Sequence, residues 1–471
     1  MKESLEKIKI RFREHQQEHL FDFYEEQSPD RQQDLLRQLA EIDLQQIEQL
    51  KKDYVFTKPE ASLPGKPVPP EIVPAGGGPA GQQARQLGQS SISQGRVAAF
   101  VVAGGQGTRL GYDGPKGCYP ATPLRKKPLF QVFAEQIRAA QEKYDSVIPW
   151  YVMTSPANHD ATKQFFRQNA HWNLDPGNVS IFPQDTMPVI DYNGKLLLEE
   201  KNKLAVSPDG HGGSLGALVH SGALDDMEKR GVDTISYFQV DNPLVHCIDS
   251  LFIGLHLQAK AGMSAKALPK REPFEKLGNF CLLNGRVTVI EYSDMPEELA
   301  KKTDPEGKLI FRFGSIAIHM LDREFIRHLV TNNHTTLPFH RAEKKVPFID
   351  SSGTKIYPDK PNAVKLERFI FDAMSMSDRY VILETRRDEE FSPIKNQEGE
   401  DSLATARHDQ IERAARWLES SGVTVPRDRN GKVEAVIEIS PLLAGNAEEL
   451  QGKLAPSLKI TPGEELYLDS Q

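Results

Sequence analysis

The sequence predicts an α/β fold, a doubly wound and mostly parallel sheet with a helical N-terminal extension and a small C-terminal β-rich lobe. Three observations predict it. The runs RVAAFVVA, IPWYVMTS, NVSIF and TISYFQV are largely apolar and of strand length, as strands buried on both faces are. Amphipathic segments separate them; PLFQVFAEQIRAAQEKY sets Leu129, Phe133, Ile137 and Ala140 along one helical face. A glycine cluster, Gly104, Gly105 and Gly107, follows the first run directly.

Residues 1 to about 55 read as helices, because Leu35, Leu36, Leu39, Ile42, Leu44 and Ile47 recur at near-helical spacing among Gln, Glu and Lys. From Phe56 to about Gly95 the composition turns to Pro, Gly, Ser and Gln, including KPVPPEIVPAGGGPAGQQ, so an extended connection is expected there. The sheet follows: RVAAFVVA, the helix after Pro128, IPWYVMTS, a helix over 158–169, NVSIF, an insertion, a helix near Leu215 to Lys229, and TISYFQV. FCLLNGRVTVIEY carries Asn284-Gly285 between apolar runs, which specifies a two-residue hairpin turn. Past about Asp401 a helix from Leu403 to Leu418 precedes short strands in VEAVIEIS and LKITPGEELYLD. The expected division is 1–95, a helical extension with its connection; 96–400, a catalytic domain; and 401–471, a small lobe.

The 471 residues are 38% apolar and 26% charged, which excludes collagen-like and wholly disordered chains. With 58 basic and 66 acidic residues the net charge is −8, so nucleic acid and anionic membranes meet no global attraction. Any phosphate must be met locally. Cys118, Cys247 and Cys281 show no Cys-x-x-Cys spacing, which opposes a disulfide framework and makes the cytoplasm the expected compartment. The charged start lacks the apolar core of an export signal, and no run reaches the ~18 apolar residues of a membrane span. The 13 histidines contain no His-Glu-x-x-His spacing, so no zinc site is expected.

The string from Ala103 to Gly111, AGGQGTRLG, is a phosphate-loop candidate, since glycines let backbone N–H groups approach an anion and permit positive φ. A tight strand-to-helix turn is the competing role. A dinucleotide fingerprint fails, because Gly105-x-Gly107 leads to Leu110 and Arg125, Lys126 and Lys127 stand where a ribose-binding acid belongs. A Walker loop fails as well: Lys116 lies between Pro115 and Gly117. What remains is a glycine loop with two nearby cations, Arg109 and Lys116, an arrangement suited to a triphosphate whose pyrophosphate departs, and hence to nucleotidyl transfer.

AGGQGTRLG with PKG at Pro115 to Gly117 resembles the UDP-sugar pyrophosphorylase family. So do VDN at 240–242, VIEYS at 289–293, DKPNAVKLERFIFD at 359–372, FSPIKN at 391–396, ATARH at 404–408 and EISPLL at 438–443, in family order over about Ile92 to Leu443. VIEYS, FSPIKN and ATARH are most similar to the eukaryote-type UDP-N-acetylhexosamine pyrophosphorylases. The resemblance implies a Rossmann-like nucleotidyltransferase fold and a Mg²⁺-dependent reaction of UTP with a sugar 1-phosphate, giving UDP-sugar and pyrophosphate.

It also implies site residues. The backbone of Val102, Ala103, Gly104 and Gly105 and the side chain of Gln184 would hold uracil, with Gly210 beneath it; Gly107 and Thr108 continue the nucleotide-binding loop. Lys116 would meet the UTP phosphates beside Arg109, Asp241 the metal, Lys395 the phosphates in transfer, and Glu291 with Tyr292 the sugar. An Asp at a strand's carboxyl end suits Mg²⁺, although it could equally start a turn with Asn242-Pro243.

Two positions depart from the acetylhexosamine pattern. Asp209 to Gly213 carries His211 where those enzymes typically have Asn, as glucose-type or broad-range relatives do, and FRFGSIAIH has Ser315 and Ile318 in place of asparagines. His211 and Ser315 are therefore candidate sugar contacts, with a ligand-free loop histidine the competing role for His211. The expected product is UDP-N-acetylglucosamine. UDP-glucose synthesis, broad-range activity and a non-catalytic nucleotide-sugar binding module are the alternatives. Oligomeric state is not legible.

Overall fold

A Pro at the first helical position, an Asp that accepts two amides and a capping box start three of the helices here, and each is written in the sequence. They are Pro29 for Pro29–Ala40, Asp43 for Leu44–Leu50 and Ser402 with Thr405 for Leu403–Ser420. The structure is a computed structural model that describes residues 5–57, 65–331, 334, 335 and 337–470. It divides into two compact units, one from Met1–Leu63, Asp185–Gly213 and Leu337–Ile370, the other from Pro64–Gln184, Ser214–Thr336 and Phe371–Gln471. The boundaries at 95/96 and 400/401 both fall inside the second unit, while the first interleaves three distant segments.

In the first unit the helices Leu5–Glu14, Pro29–Ala40 and Leu44–Leu50 turn their apolar faces inward. Leu35, Leu39, Leu44 and Ile47 are buried against Ile190, Leu196, Val364 and Leu366. Those partners lie on or beside a three-stranded antiparallel sheet in which Ala363–Glu367 pairs with His340–Lys344 and Ile190–Asp191.

Among the described residues the second unit holds a nine-stranded sheet. Its strands β1 (Val97–Val102), β2 (Trp150–Thr154) and β3 (Val179–Pro183) are parallel, as the apolar runs predict. Thr234–Gln239 lies parallel to the other side of β1. Next to it Phe313–Asp322 runs antiparallel and carries the Asn279–Leu283 and Arg286–Ile290 hairpin, with Asn284 and Gly285 at φ 50° and 78°. The region read as one helix near Leu215 to Lys229 is two, Ser214–His220 and Ala223–Lys229, broken at Gly222 with φ 75°. At the C-terminus Val436–Ile439 and Glu465–Leu468 pair in parallel, and Ala415, Leu418, Ile437 and Leu450 are buried in one apolar cluster with the helix Leu403–Ser420.

A further expectation is corrected. Among the described residues of the Pro/Gly-rich stretch, Val68 pairs with Leu282 and Val73 with Leu383, as an extended segment does, but Gly81–Ser93 is a helix. Its glycines serve close packing. A Cβ on Gly88 would sit 1.9 Å from Ser250 O, and one on Gly254 of the helix Ser250–Ala259 would sit 1.7 Å from Ala84 O. Two helices approach this closely only where side chains are absent, so composition misread a packing device as an extended connection.

Candidate active site

Strand order fixes the place. β2 lies on one side of β1 and Thr234–Gln239 on the other, so the winding reverses at β1, and such reversals open a crevice beyond the carboxyl ends of the strands. The glycine loop leaves β1 at that edge, Asp241 follows Thr234–Gln239, and the Val240 N–H donates to Val102 O at 3.1 Å.

Gly104 and Gly107 serve close approach, and positive φ, the other role expected of the glycine string, falls at Gly111 and then at Gly114, at 70° and 144°. A Cβ on Gly104 would lie 2.5 Å from Gln184 Oε1, and one on Gly107 would lie 2.7 Å from the Tyr112 ring. Gln184 therefore stands directly over Gly104. It is buried, and its N–H donates to Thr154 O at 2.7 Å beyond β2. Ala103 is buried, Val102 partly so, and Gly105 and Thr108 are exposed. The loop then doubles back: Gly107 N–H donates to Gly114 O at 2.8 Å and Lys116 N–H to Gly105 O at 3.0 Å. This return brings Lys116 beside the glycines although 11 positions separate it from Gly105, while Arg109 is exposed in the turn Thr108–Leu110.

Asp241 and Lys395 are also brought together. The Ile394 N–H donates to Asp241 O at 2.8 Å, and the Lys395 N–H to Asp401 O at 2.6 Å. Burial pushes the Asp401 carboxyl above its usual range, with Asp241 adding to the rise and Lys395 opposing it. The turn after Asp241 is closed by Asn242, whose Nδ2 donates to Glu390 O at 2.7 Å and whose Oδ1 accepts from Leu244 and Ser392 at 3.2 and 3.1 Å.

Glu291 and Ser315 flank Gly278: a Cβ there would be 3.2 Å from Glu291 Oε1, and the Ser315 N–H donates to Gly278 O at 2.8 Å. Tyr292 is 43% exposed. Ser315 precedes a register shift in its strand, with Ala317 at φ 56°, and Ile318 is core.

Gly210 and His211 belong to the first unit. Gly210 has φ 86°, and a Cβ there would lie 2.3 Å from Arg368 O. The His211 ring stacks on Phe369 at 5.2 Å, and Phe369 stacks on His340 at 4.1 Å. Burial first and His340 second lower its pKa to about 4. Since Nδ1 accepts the Ile370 N–H at 3.1 Å, the proton of this neutral imidazole is on Nε2.

Sequence reasoning missed Asn158, which is 1% exposed. Its Nδ2 donates to Ala103 O at 3.0 Å and Gly105 O at 3.3 Å, and its Oδ1 accepts from Ser155 N–H at 2.8 Å. An Asn just after an apolar strand is the only local signal, and it reads equally well as a helix cap. Asp401, between the FSPIKN and ATARH motifs, was also missed, and Asn242 was read only as a residue of VDN that could start a turn.

Comparison with known proteins identifies relatives of this chain. The family described as UTP–glucose-1-phosphate uridylyltransferase matches residues 36–439. The human UDP-N-acetylhexosamine pyrophosphorylase-like protein 1 is 35% identical over 474 residues, covering 94% of each chain. The UDP-N-acetylglucosamine pyrophosphorylase of Saccharomyces cerevisiae is 35% identical over 78% of this chain and 77% of its own. A crystal structure of the uridine diphosphate N-acetylglucosamine pyrophosphorylase from Trypanosoma brucei in complex with inhibitor superposes with a TM-score of 0.82, at 25% identity over 99% of both chains. On the family match and these identities, the chain belongs to the UTP–glucose-1-phosphate uridylyltransferase family, in which it is similar to the eukaryotic UDP-N-acetylhexosamine pyrophosphorylases.

Proposed function

We propose that this chain is a uridylyltransferase that converts UTP and N-acetylglucosamine 1-phosphate to UDP-N-acetylglucosamine and pyrophosphate. The observation that carries the reading is the single sheet edge at which Gln184 stands over Gly104, Lys116 is tied to Gly105, and Lys395 adjoins Asp241. A buried amide side chain over Gly104, which has no Cβ, suits a flat base that offers both donors and acceptors. Cations beside it suit the phosphates.

The sugar phosphate oxygen attacks the α-phosphorus in line with the departing pyrophosphate. The chain's part is alignment and charge compensation: Lys116 toward the triphosphate, Lys395 toward the transferring group, Arg109 at the loop's exposed turn. No protein base is required, because a phosphate monoester with a second pKa of about 6 is largely ionised at neutral pH. The backbone of Val102 to Gly105, with Gly107, Thr108 and Gly210, belongs to nucleotide binding in this scheme. Glu291, Tyr292, Ser315 and His211 belong to the sugar.

Magnesium fits the donor set. No group of three His, Cys, Asp or Glu side chains able to hold a metal is found among the described residues, and Mg²⁺ ordinarily takes one or two carboxylates plus phosphate oxygens and water. Asp241 would supply the carboxylate, and the ion when bound would offset negative charge on the phosphates. No helix among the described residues is long and apolar enough to cross a membrane, and three buried unpaired cysteines support a reducing compartment, the cytoplasm.

One observation favours a second substrate. Ser315 offers one hydroxyl where an amide would meet the acetamido group, and a lost buried hydrogen bond costs about 1 to 3 kcal/mol, so glucose 1-phosphate competes. Pyrophosphate release measured with both sugar phosphates decides. Faster turnover of the acetylated sugar supports the reading; a preference for glucose 1-phosphate above about tenfold, roughly 1.4 kcal/mol, overturns the choice of sugar. Release with neither overturns catalysis.

A further inference from the structure

Between Lys116 and the helix Leu129–Tyr144 the chain makes a hairpin-like loop. Its limbs meet at Pro120 and Pro128, Leu129 N–H donates to Tyr119 O at 3.2 Å, and Ala121 N–H to Lys127 O at 2.8 Å. At one end stands the turn Lys116–Cys118, joined to the loop by Tyr119 N–H donating to Lys116 O at 3.0 Å. At the other end is a tip over residues 123–126, where Lys126 has φ 53° and Arg125 and Lys126 are exposed.

The tip is held from far along the sequence. Leu124 and Arg125 donate their backbone N–H groups to one oxygen, Glu438 Oε2, at 2.7 and 2.9 Å. Glu438 lies on the C-terminal strand Val436–Ile439 and is 6% exposed. The limb is held too: Arg407 Nη2 donates to Pro120 O and Gln410 Nε2 to Ala121 O, both at 3.1 Å, from the helix Leu403–Ser420. Lys127 Nζ donates to Glu135 at 2.6 Å and Tyr467 Oη at 2.9 Å, and the Arg125 guanidinium lies 4.3 Å from the Tyr467 ring centre. A buried carboxylate accepting two backbone amides makes charge-assisted hydrogen bonds, stronger than the neutral contacts beside it.

We propose that Glu438 is a positioning residue for the transfer reaction: by gripping the loop tip it lets the C-terminal residues fix where Lys116 stands against Gly105. The proposal rests on the reading that Lys116 meets the UTP phosphates. Two main-chain amides of the loop tip converge on one buried carboxylate from a distant strand, and displacement of a charge-bearing group by about 1 Å can cost up to 100-fold in rate.

The test is a double-mutant cycle on the full chain, read as kcat and KM for pyrophosphate release. Glu438→Ala is expected to lower kcat about 10- to 100-fold, and Glu438→Gln, which keeps an acceptor oxygen, to restore it to within about threefold. In a Lys116→Ala background, Glu438→Ala is expected to add less than about twofold, because both changes remove one contact. A full additional loss there overturns the positioning role alone. Intact turnover in Lys116→Ala overturns the assignment of Lys116 as well, so the two failures are distinguishable. Should Glu438→Ala not fold, Glu438→Asp keeps the charge one methylene short of the loop and is expected to show the same kcat loss; turnover within about twofold of the unaltered chain overturns the proposal.

Discussion

Replacing Lys266 by Met removes the positive centre of a buried ionic cluster behind the active edge. Lys266 is 2% exposed, and its Nζ donates to Asp249 at 2.7 Å and Glu390 at 2.5 Å. Burial opposes charging Asp249 and Lys266, yet Lys266 holds the Asp249 pKa down to about 2, and the two carboxylates hold the ammonium pKa up. Met matches the aliphatic stem but leaves two carboxylates uncompensated, a loss of about 3 to 5 kcal/mol. The Asp249 shift from 3.8 alone corresponds to about 2 kcal/mol, present at neutral pH and lost as pH falls from about 4 toward 2. The cluster also reaches the site, since Glu390 O accepts from Asn242 Nδ2 beside Asp241. Urea unfolding at pH 7 should therefore show the loss, with Lys266→Met/Glu390→Gln recovering part of it. A change under about 1 kcal/mol at unchanged m-value refutes the reasoning.

Three further outcomes are expected. Asp241→Ala should lower turnover by about 10²-fold or more with unfolding unchanged, as loss of charge stabilisation in transfer implies; near-normal rates sink its assignment. Gly117→Ala should destabilise the chain by about 1 to 3 kcal/mol, because the added Cβ would lie 2.1 Å from the buried Phe130 ring, and Phe130→Leu in that background should relieve it, both read by thermal melting. Stability should fall as pH drops from 6.5 to 4: burial lowers the His256 pKa to about 4, so the unfolded chain binds the extra proton in that window. The shift corresponds to about 3 kcal/mol for this one group; a His256→Gln chain with an equally steep decline contradicts it.

The parallel strands and the Asn284-Gly285 hairpin were legible because apolar run length and turn chemistry act locally. The helix Gly81–Ser93 was hidden because its glycines are explained by a partner helix some 170 residues on, and spacing along the chain carries no trace of it. At the site, motif residues such as Lys116, Asp241 and Lys395 were legible by resemblance. Asn158 was not, and although Asn242 and Glu438 stand in quoted motifs their bonding roles were not, because each bonds to main chain, and nearly any sequence presents the same N–H and C=O groups.

The interleaving of the first unit bears on how the protein is made. Its opening helices leave the ribosome early, yet Val364 and Leu366, which cover their apolar face, are translated some 300 residues later. At about 5 to 20 residues per second the nascent chain carries that face incompletely covered for roughly 15 to 60 s. Holdase chaperones thus have a defined window in which to engage it, and a chain that stops short of Ala363 never completes that cover.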